Sequence, residues 1–299
     1  MKLEYCRLTP PNFGDELNAW LWPKLVPELL EQDDNCYLIG IGTIFSKRCD
    51  HLPIDSKKIV FSSGTGYSEN TEVDENWDVI GVRGELTAKA YNLSDEKILC
   101  DGAYLLRKVS LPKIEPHNRT GFMPHYSSLD MVNWQEVCDK VGLEFISPYW
   151  PVDTVLSKMQ GCKNIITEAM HGAIVADVLR VPWCAVSFGP KFLPSKWQDW
   201  GTALNIVPKI QAIPFVINQK ISKGRVVEWK IKRILSKMSL GKKKWQSIPK
   251  FKNNINDLIH GLQNVKVQNS YQLSSDESIS NVDSKLDQAL EYLKSTYKK

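Results

Sequence analysis

ITEAMHGAIVADVLRVPWCAVSFG, residues 166–189, reads as strand, helix and strand in immediate succession. The β-branched run KNIIT (163–167) ends at polar Thr167 and Glu168, Met170, His171 and Gly172 open a helix, and PWCAVSFG (182–189) is again strand-like. Two strands joined through a helix pair in parallel, because a tight hairpin cannot return the chain to the same edge. This unit therefore predicts an α/β fold, with ligands held beyond the C-terminal strand ends.

The same pattern extends outward. CYLIGIG (36–42), KIVFSSG (58–64), DVIGVRG (78–84) and KILCDGAYLL (97–106) are short apolar runs ending at glycine or a small polar residue. ELNAWLWPKLVPELL (16–30) and GELTAKAYNL (84–93) suit helices, the first kinked or interrupted by Pro23 and Pro27. The polar stretch RKVSLPKIEPHNRT (107–120) interrupts the series, which resumes with GFMPHY (121–126), LEFISPY (143–149) and KNIIT. Two Rossmann-like domains facing a cleft, residues 1–110 and 111–208, are the expected GT-B-like arrangement. Residues 209–299 form a basic, helical C-terminal region with a flexible linker at QNSYQLSSDESISN (268–281). Beyond it Val282, Leu286, Leu290 and Leu293 share one face of a docking or partner-binding helix.

A 299-residue chain that is 42% hydrophobic and 10% aromatic can bury such cores. The net charge of +4 is modest, but Lys220 to Lys252 hold twelve Lys or Arg against one acid, Glu228. In that segment RVVEWKIKRILSKMSL (225–240) is a basic amphipathic helix suited either to an anionic membrane surface or to packing with a solvated basic face. No recognisable module points to nucleic acid. Seven scattered cysteines without a CxxC pair, and without His at metal spacing, read as reduced thiols. The start MKLEYCRLTPP lacks the apolar run of a signal peptide, so a cytoplasmic location is expected.

Several polar residues fall at strand ends. In NFGDELN (12–18), Gly14 permits a tight strand-to-helix turn, and Asn12, Asp15 and Asn18 either face the cleft or cap the helix. Arg83 in VIGVRGELT could meet an anion at a helix N-terminus or pair with a nearby acid. His171, with Glu168 and Gly172 beside it, is a titratable imidazole at a strand end, and His125 in GFMPHY occupies the equivalent place on another strand. KFLPSKWQDWG (191–201) places Lys191, Lys196 and Trp197 past a further strand, where Trp197 suits either stacking on a sugar or plugging the core.

The ordered set NFGDELN, GIGTIF, SSGTGY, VRGELT, CDGAYL, GFMPHY, TEAMHGAIVADVLRVPW and KWQDW, spanning about residues 8 to 201, resembles the polysaccharide pyruvyl transferases, especially the ketal-forming subgroup of exopolysaccharide synthesis. The resemblance implies a GT-B-like enzyme. It would move the pyruvyl unit of phosphoenolpyruvate onto two hydroxyls of a sugar, in a polysaccharide or its lipid-linked precursor, and release phosphate without cofactor or metal. In that scheme Arg83 leads, and Lys191 and Lys196 follow, as groups for the donor's anions. His171 suits the acid, and Glu168, Asp15 or His125 could take the hydroxyl proton. Asn12 and Trp197 join the substrate contacts. The chain departs from the broader family at Ala169, where many members carry Arg, so its anion site must be built differently. A nucleotide-sugar glycosyltransferase and a non-catalytic glycan-binding protein are the competing readings.

Overall fold

The computed structural model describes residues 1–31, 35–66, 68–189, 192–217 and 253–298. The basic helix expected at 225–240 and Lys191 lie outside them. The first sheet contains β1 (Lys2–Glu4), β2 (Cys36–Ile39), β3 (Lys57–Ser63) and β4 (Trp77–Val82), parallel throughout and ordered β1-β2-β3-β4. The second contains β5 (Thr120–Met123), β6 (Glu144–Phe145), β7 (Asn164–Thr167), β8 (Trp183–Ser187) and β9 (Ile210–Ala212), also parallel. Its order, β6-β5-β7-β8-β9, reverses direction between β5 and β7. That reversal opens a crevice at the strands' C-terminal ends, where His125 and Glu168 stand.

Burial explains why the strands were legible. In β3 every residue after Lys57 is buried, as expected for a parallel strand covered on both faces. Helices α1 (Phe13–Leu25), α2 (Pro27–Leu30) and α3 (Glu85–Ala90) accompany the first sheet, and α4 (Trp134–Val141), α5 (Val152–Gly161), α6 (Met170–Val178) and α7 (Pro194–Thr202) the second. Pro23 is accommodated inside α1, and the chain breaks instead at Val26, after which Pro27 opens α2 at a position that has no helical N–H to lose. The largest core is continuous across both sheets. It unites Leu17, Leu21 and Trp22 of α1, Phe61 of β3, Ile174 and Val175 of α6, and Leu286 and Leu290 of α9 (Asp276–Tyr297).

Three segments differ from expectation. Residues 97–106 form no strand: Leu99 N–H bonds Val82 and only Val82 and Ile98 bridge. Asp101 then accepts from the Ala103 N–H and starts a 3₁₀ helix over Gly102–Lys108. LEFISPY supplies only the two residues of β6. Residues 268–281, read as a flexible linker, are built into the fold. Gln272 and Trp183 exchange backbone hydrogen bonds of 2.7 and 2.9 Å, and buried Ser274 donates through N–H and hydroxyl to Asp177. A polar composition looks like disorder until such buried acceptors are known. Between α8 (Ile255–Gln268) and α9 this connection carries the chain back to the first half, where Arg107 pairs with Asp283 at 2.9 Å and Lys108 with Asp287 at 2.7 Å.

A second cross-connection runs through α7. Arg83, fully buried after β4, donates Nε and Nη2 to Asp199 Oδ2 at 3.0 and 2.9 Å and Nη1 to Thr43 Oγ1 at 2.8 Å. Asp199 also accepts from the Thr87 N–H at 2.9 Å and hydroxyl at 2.7 Å. Gly84 is where α7 comes closest, for a Cβ there would lie 1.7 Å from the Asp199 carbonyl oxygen.

Candidate active site

A cavity of about 490 Å³ opens where the two sheets meet. Its walls come from loops at the C-terminal ends of the parallel strands: Asn12–Asp15 after β1, Gly42–Ile44 after β2, His125 and Tyr126 after β5, Glu168–His171 after β7, and Phe192–Trp197 after β8. The volume suits a small ligand with part of a second one.

His171 stands in the first turn of α6 with its side chain 15% exposed. Its Nε2 lies 3.7 Å from Oδ1 of Asp101, a charge contact longer than a hydrogen bond. Burial pushes the Asp101 carboxyl up, but the adjacent His171 and Arg83 outweigh burial and hold it below the ordinary carboxylate range. An ionised, fully buried Asp101 thus fixes the imidazole from behind. On the other side Gly14 lies against the ring, and a Cβ there would fall 2.1 Å from His171 Nδ1. Asp101 was missed as a site residue because KILCDGAYLL (97–106) reads as one apolar run with Asp101 inside it.

Asn12 and Asp15 both line the cavity. Asn12 is the N-cap residue of α1, yet its side chain makes no capping bond and instead donates to Asp15 Oδ2 at 2.7 Å. Burial pushes the Asp15 carboxyl up, while Asn12, His171 and Lys196 pull it down without cancelling the rise. Asn18 points elsewhere. Fully buried, it accepts from the Ile41 N–H at 2.8 Å and donates to the Ile41 carbonyl at 2.9 Å, fastening the loop after β2 to α1.

Glu168 also reaches the cavity wall, but its carboxylate is occupied. It accepts from the His125 N–H at 2.9 Å, the Gly189 N–H at 2.9 Å and the Ser128 hydroxyl at 3.0 Å, bracing the ends of β5, β7 and β8. Burial raises its pKa. His125 accepts from the Ser127 N–H through Nδ1 at 3.3 Å and so starts a 3₁₀ turn. Its ring and that of Tyr126 form one wall, 4.4 Å apart at 42°.

Arg83 does not line the cavity, because its guanidinium is committed to Asp199. Lys196, one turn before Asp199 on α7, does line it, together with Arg48, a cation that the sequence reading passed over. Burial, then the neighbouring Arg83, depress the Lys196 ammonium to about 7. Trp197 is 2% exposed and stacks on Phe192 at 5.6 Å, with Trp183 and Trp200 behind it. It is mainly core and reaches the cavity at its margin.

A cavity lined by an imidazole, a carboxyl bonded to Asn12, a lysine and an arginine can hold a small anionic substrate and move protons on it. The chain belongs to the polysaccharide pyruvyl transferase family, whose description matches residues 12–190, and it is therefore a transferase. It is 35% identical over 219 residues to the succinoglycan biosynthesis protein ExoV of Rhizobium meliloti (strain 1021), covering 72% of this chain and 68% of that one. No solved structure matches the chain significantly. Among the described residues no helix is long and apolar enough to cross a membrane.

Proposed function

We propose that the protein transfers the pyruvyl group of phosphoenolpyruvate to two hydroxyls of a sugar in an exopolysaccharide or its lipid-linked precursor, forming a cyclic ketal and releasing phosphate. A GT-B-like arrangement of two Rossmann-like domains is part of this reading, supported by two parallel sheets whose C-terminal loops line one cavity. The observation that carries the reading is the convergence of His171, Asp15, Lys196 and Arg48 on one cavity at the C-terminal strand ends.

One sugar hydroxyl attacks the enol carbon and loses its proton, while the methylene carbon gains a proton and becomes a methyl group. Phosphate then leaves with the C–O electron pair, and the second hydroxyl closes the ketal. The two hydroxyl protons end on the methyl carbon and on phosphate. His171 is the acid. Asp15 is the preferred base, since Glu168 is held by three donors and His125 by its own turn. Lys196 and Arg48 bind the donor's phosphate and carboxylate. They are aided by the start of α6 at Met170 and His171, whose first amides favour anions, the Ala169 N–H being taken by the Thr167 hydroxyl at 3.0 Å. This arrangement compensates for the family's missing arginine at position 169.

The deciding experiment is phosphate release from phosphoenolpyruvate with galactose-, glucose- and mannose-based acceptors, lipid-linked ones included. Acceptor-dependent release supports the reading. No release, with thermal stabilisation by a nucleotide sugar, would replace it with glycosyl transfer.

Gly14→Ala should push the His171 ring aside and lower turnover about 10²-fold, with near-native thermal melting. Normal turnover would show that the ring's position is not critical. Lys196, neutral above about pH 7, should let the apparent KM for phosphoenolpyruvate rise as pH increases through that value. Lys196→Arg, charged throughout, should flatten the profile. Cytoplasmic residence with peripheral contact to the inner membrane face is proposed from the basic residues 225–240. Co-sedimentation with anionic but not neutral liposomes, weakened by salt, is expected, and absence of binding would remove the membrane contact.

A further inference from the structure

The edge of the second sheet opposite the cavity carries side chains that the transfer reaction does not use. His117 lies in the segment leading into β5, Glu144 opens β6, and Cys162 stands just before β7. Strands that deliver His125 and Glu168 at their C-terminal ends gather these three residues at their N-terminal ends. One imidazole nitrogen, one carboxylate oxygen and the thiol sulfur lie within 4.8 Å of one another.

The hydrogen bonding around them is incomplete. His117 Nε2 is 3.0 Å from Glu144 Oε2, and Lys158 Nζ occupies the other carboxylate oxygen at 2.8 Å. His117 Nδ1 and Glu144 Oε2 are buried yet make no hydrogen bond among the described residues. The Glu144 side chain is 10% exposed. Buried polar atoms left this way in a native fold call for an ion or a water. A second cavity of about 510 Å³, lined by His117, Asp153, Ser157, Lys158 and Gly161, adjoins them and gives solvent access.

We propose that His117, Glu144 and Cys162 bind one zinc-like divalent ion, with a water from the adjoining cavity in the fourth position. A nitrogen, oxygen and sulfur set excludes calcium and magnesium, which take oxygen ligands, and suits zinc. Zinc bonds of about 2.0–2.3 Å place tetrahedral ligand atoms roughly 3.3–3.8 Å apart, so the imidazole and carboxylate, 3.0 Å apart, need to open slightly while the thiol closes by at most about 1 Å. On binding, the Cys162 S–H bond breaks, the sulfur–metal bond forms with the same electron pair, and the proton passes to solvent. Burial, then Glu144, keep this thiol protonated without an ion, raising its pKa to about 12. The ion would clamp the starts of β5, β6 and β7 without touching the cavity.

The test is titration of chelator-treated full-length protein with Co²⁺, followed by displacement with Zn²⁺. One equivalent of Co²⁺ should produce a thiolate-to-cobalt charge-transfer band that Zn²⁺ removes, and Zn²⁺ should raise Tm. Cys162→Ser should abolish the band. His117→Ala, at a partly exposed position that leaves the core intact, should weaken binding by at least about tenfold. Absence of the band and of stoichiometric binding would overturn the proposal, as would a band that survives both substitutions and so belongs to other cysteines.

Discussion

His171→Ala is expected to lower kcat for acceptor-dependent phosphate release about 10²–10⁴-fold, the range associated with a positioned general acid. The loss should appear with little change in Tm, because His171 Nε2 makes no hydrogen bond among the described residues and lies 3.7 Å from Asp101. Asp101→Asn provides the companion measurement. It keeps the shape behind the imidazole but removes the charge, so kcat should fall with near-native Tm if that charge positions the ring. An unchanged kcat in His171→Ala would move the proton donor elsewhere, with Lys196, depressed to about 7, next in line.

Arg83→Ala is expected to reduce unfolding free energy by about 3–5 kcal/mol, measured by urea denaturation, because it leaves Asp199 buried without its cation. Both partners are essentially inaccessible to water, so screening by salt should not blunt the loss. An Arg83→Met, Asp199→Leu double variant should recover much of it, since replacing a buried pair by apolar groups is often close to neutral. A simple anion-clamp role predicts the reverse, a large rise in the KM for phosphoenolpyruvate with unaltered stability. The structure supports an indirect effect on the donor: removing Arg83 lifts a repulsion from Lys196 and should carry its KM profile to higher pH.

The parallel strands were legible where β-branched residues run together, as in KIVFSS and NIIT, because burial on both faces leaves little place for polar letters. β6, two residues long, was read as the longer run LEFISPY, and β9, three residues long, gave no comparable run. α7 was hidden by Pro194 and by a polar face that is used to reach the first sheet. At the site, Asn12, Asp15, His125, Glu168, His171, Lys196 and Trp197, singled out by their place past strand ends, line one cavity. That place alone could not separate Glu168, held by two backbone N–H groups and a hydroxyl, from Asp15, held by Asn12, because the donors to Glu168 come from distant parts of the chain. Nor could it pair Arg83 with an acid 116 positions away or set Asp101 behind His171. Such pairs belong to tertiary structure and leave no local pattern.

The order of residues along the chain and their allegiance in space part company twice, at α7 and again at α9. α7 lies between β8 and β9 of the second sheet in sequence but is anchored on Thr87 and Arg83, and α9, the last helix among the described residues, rests on residues 107 and 108. Cutting the gene near residue 110 would therefore yield two fragments that each lack part of their own support. Only when mixed should they regain a fold, and a single cooperative melt should accompany the return of activity.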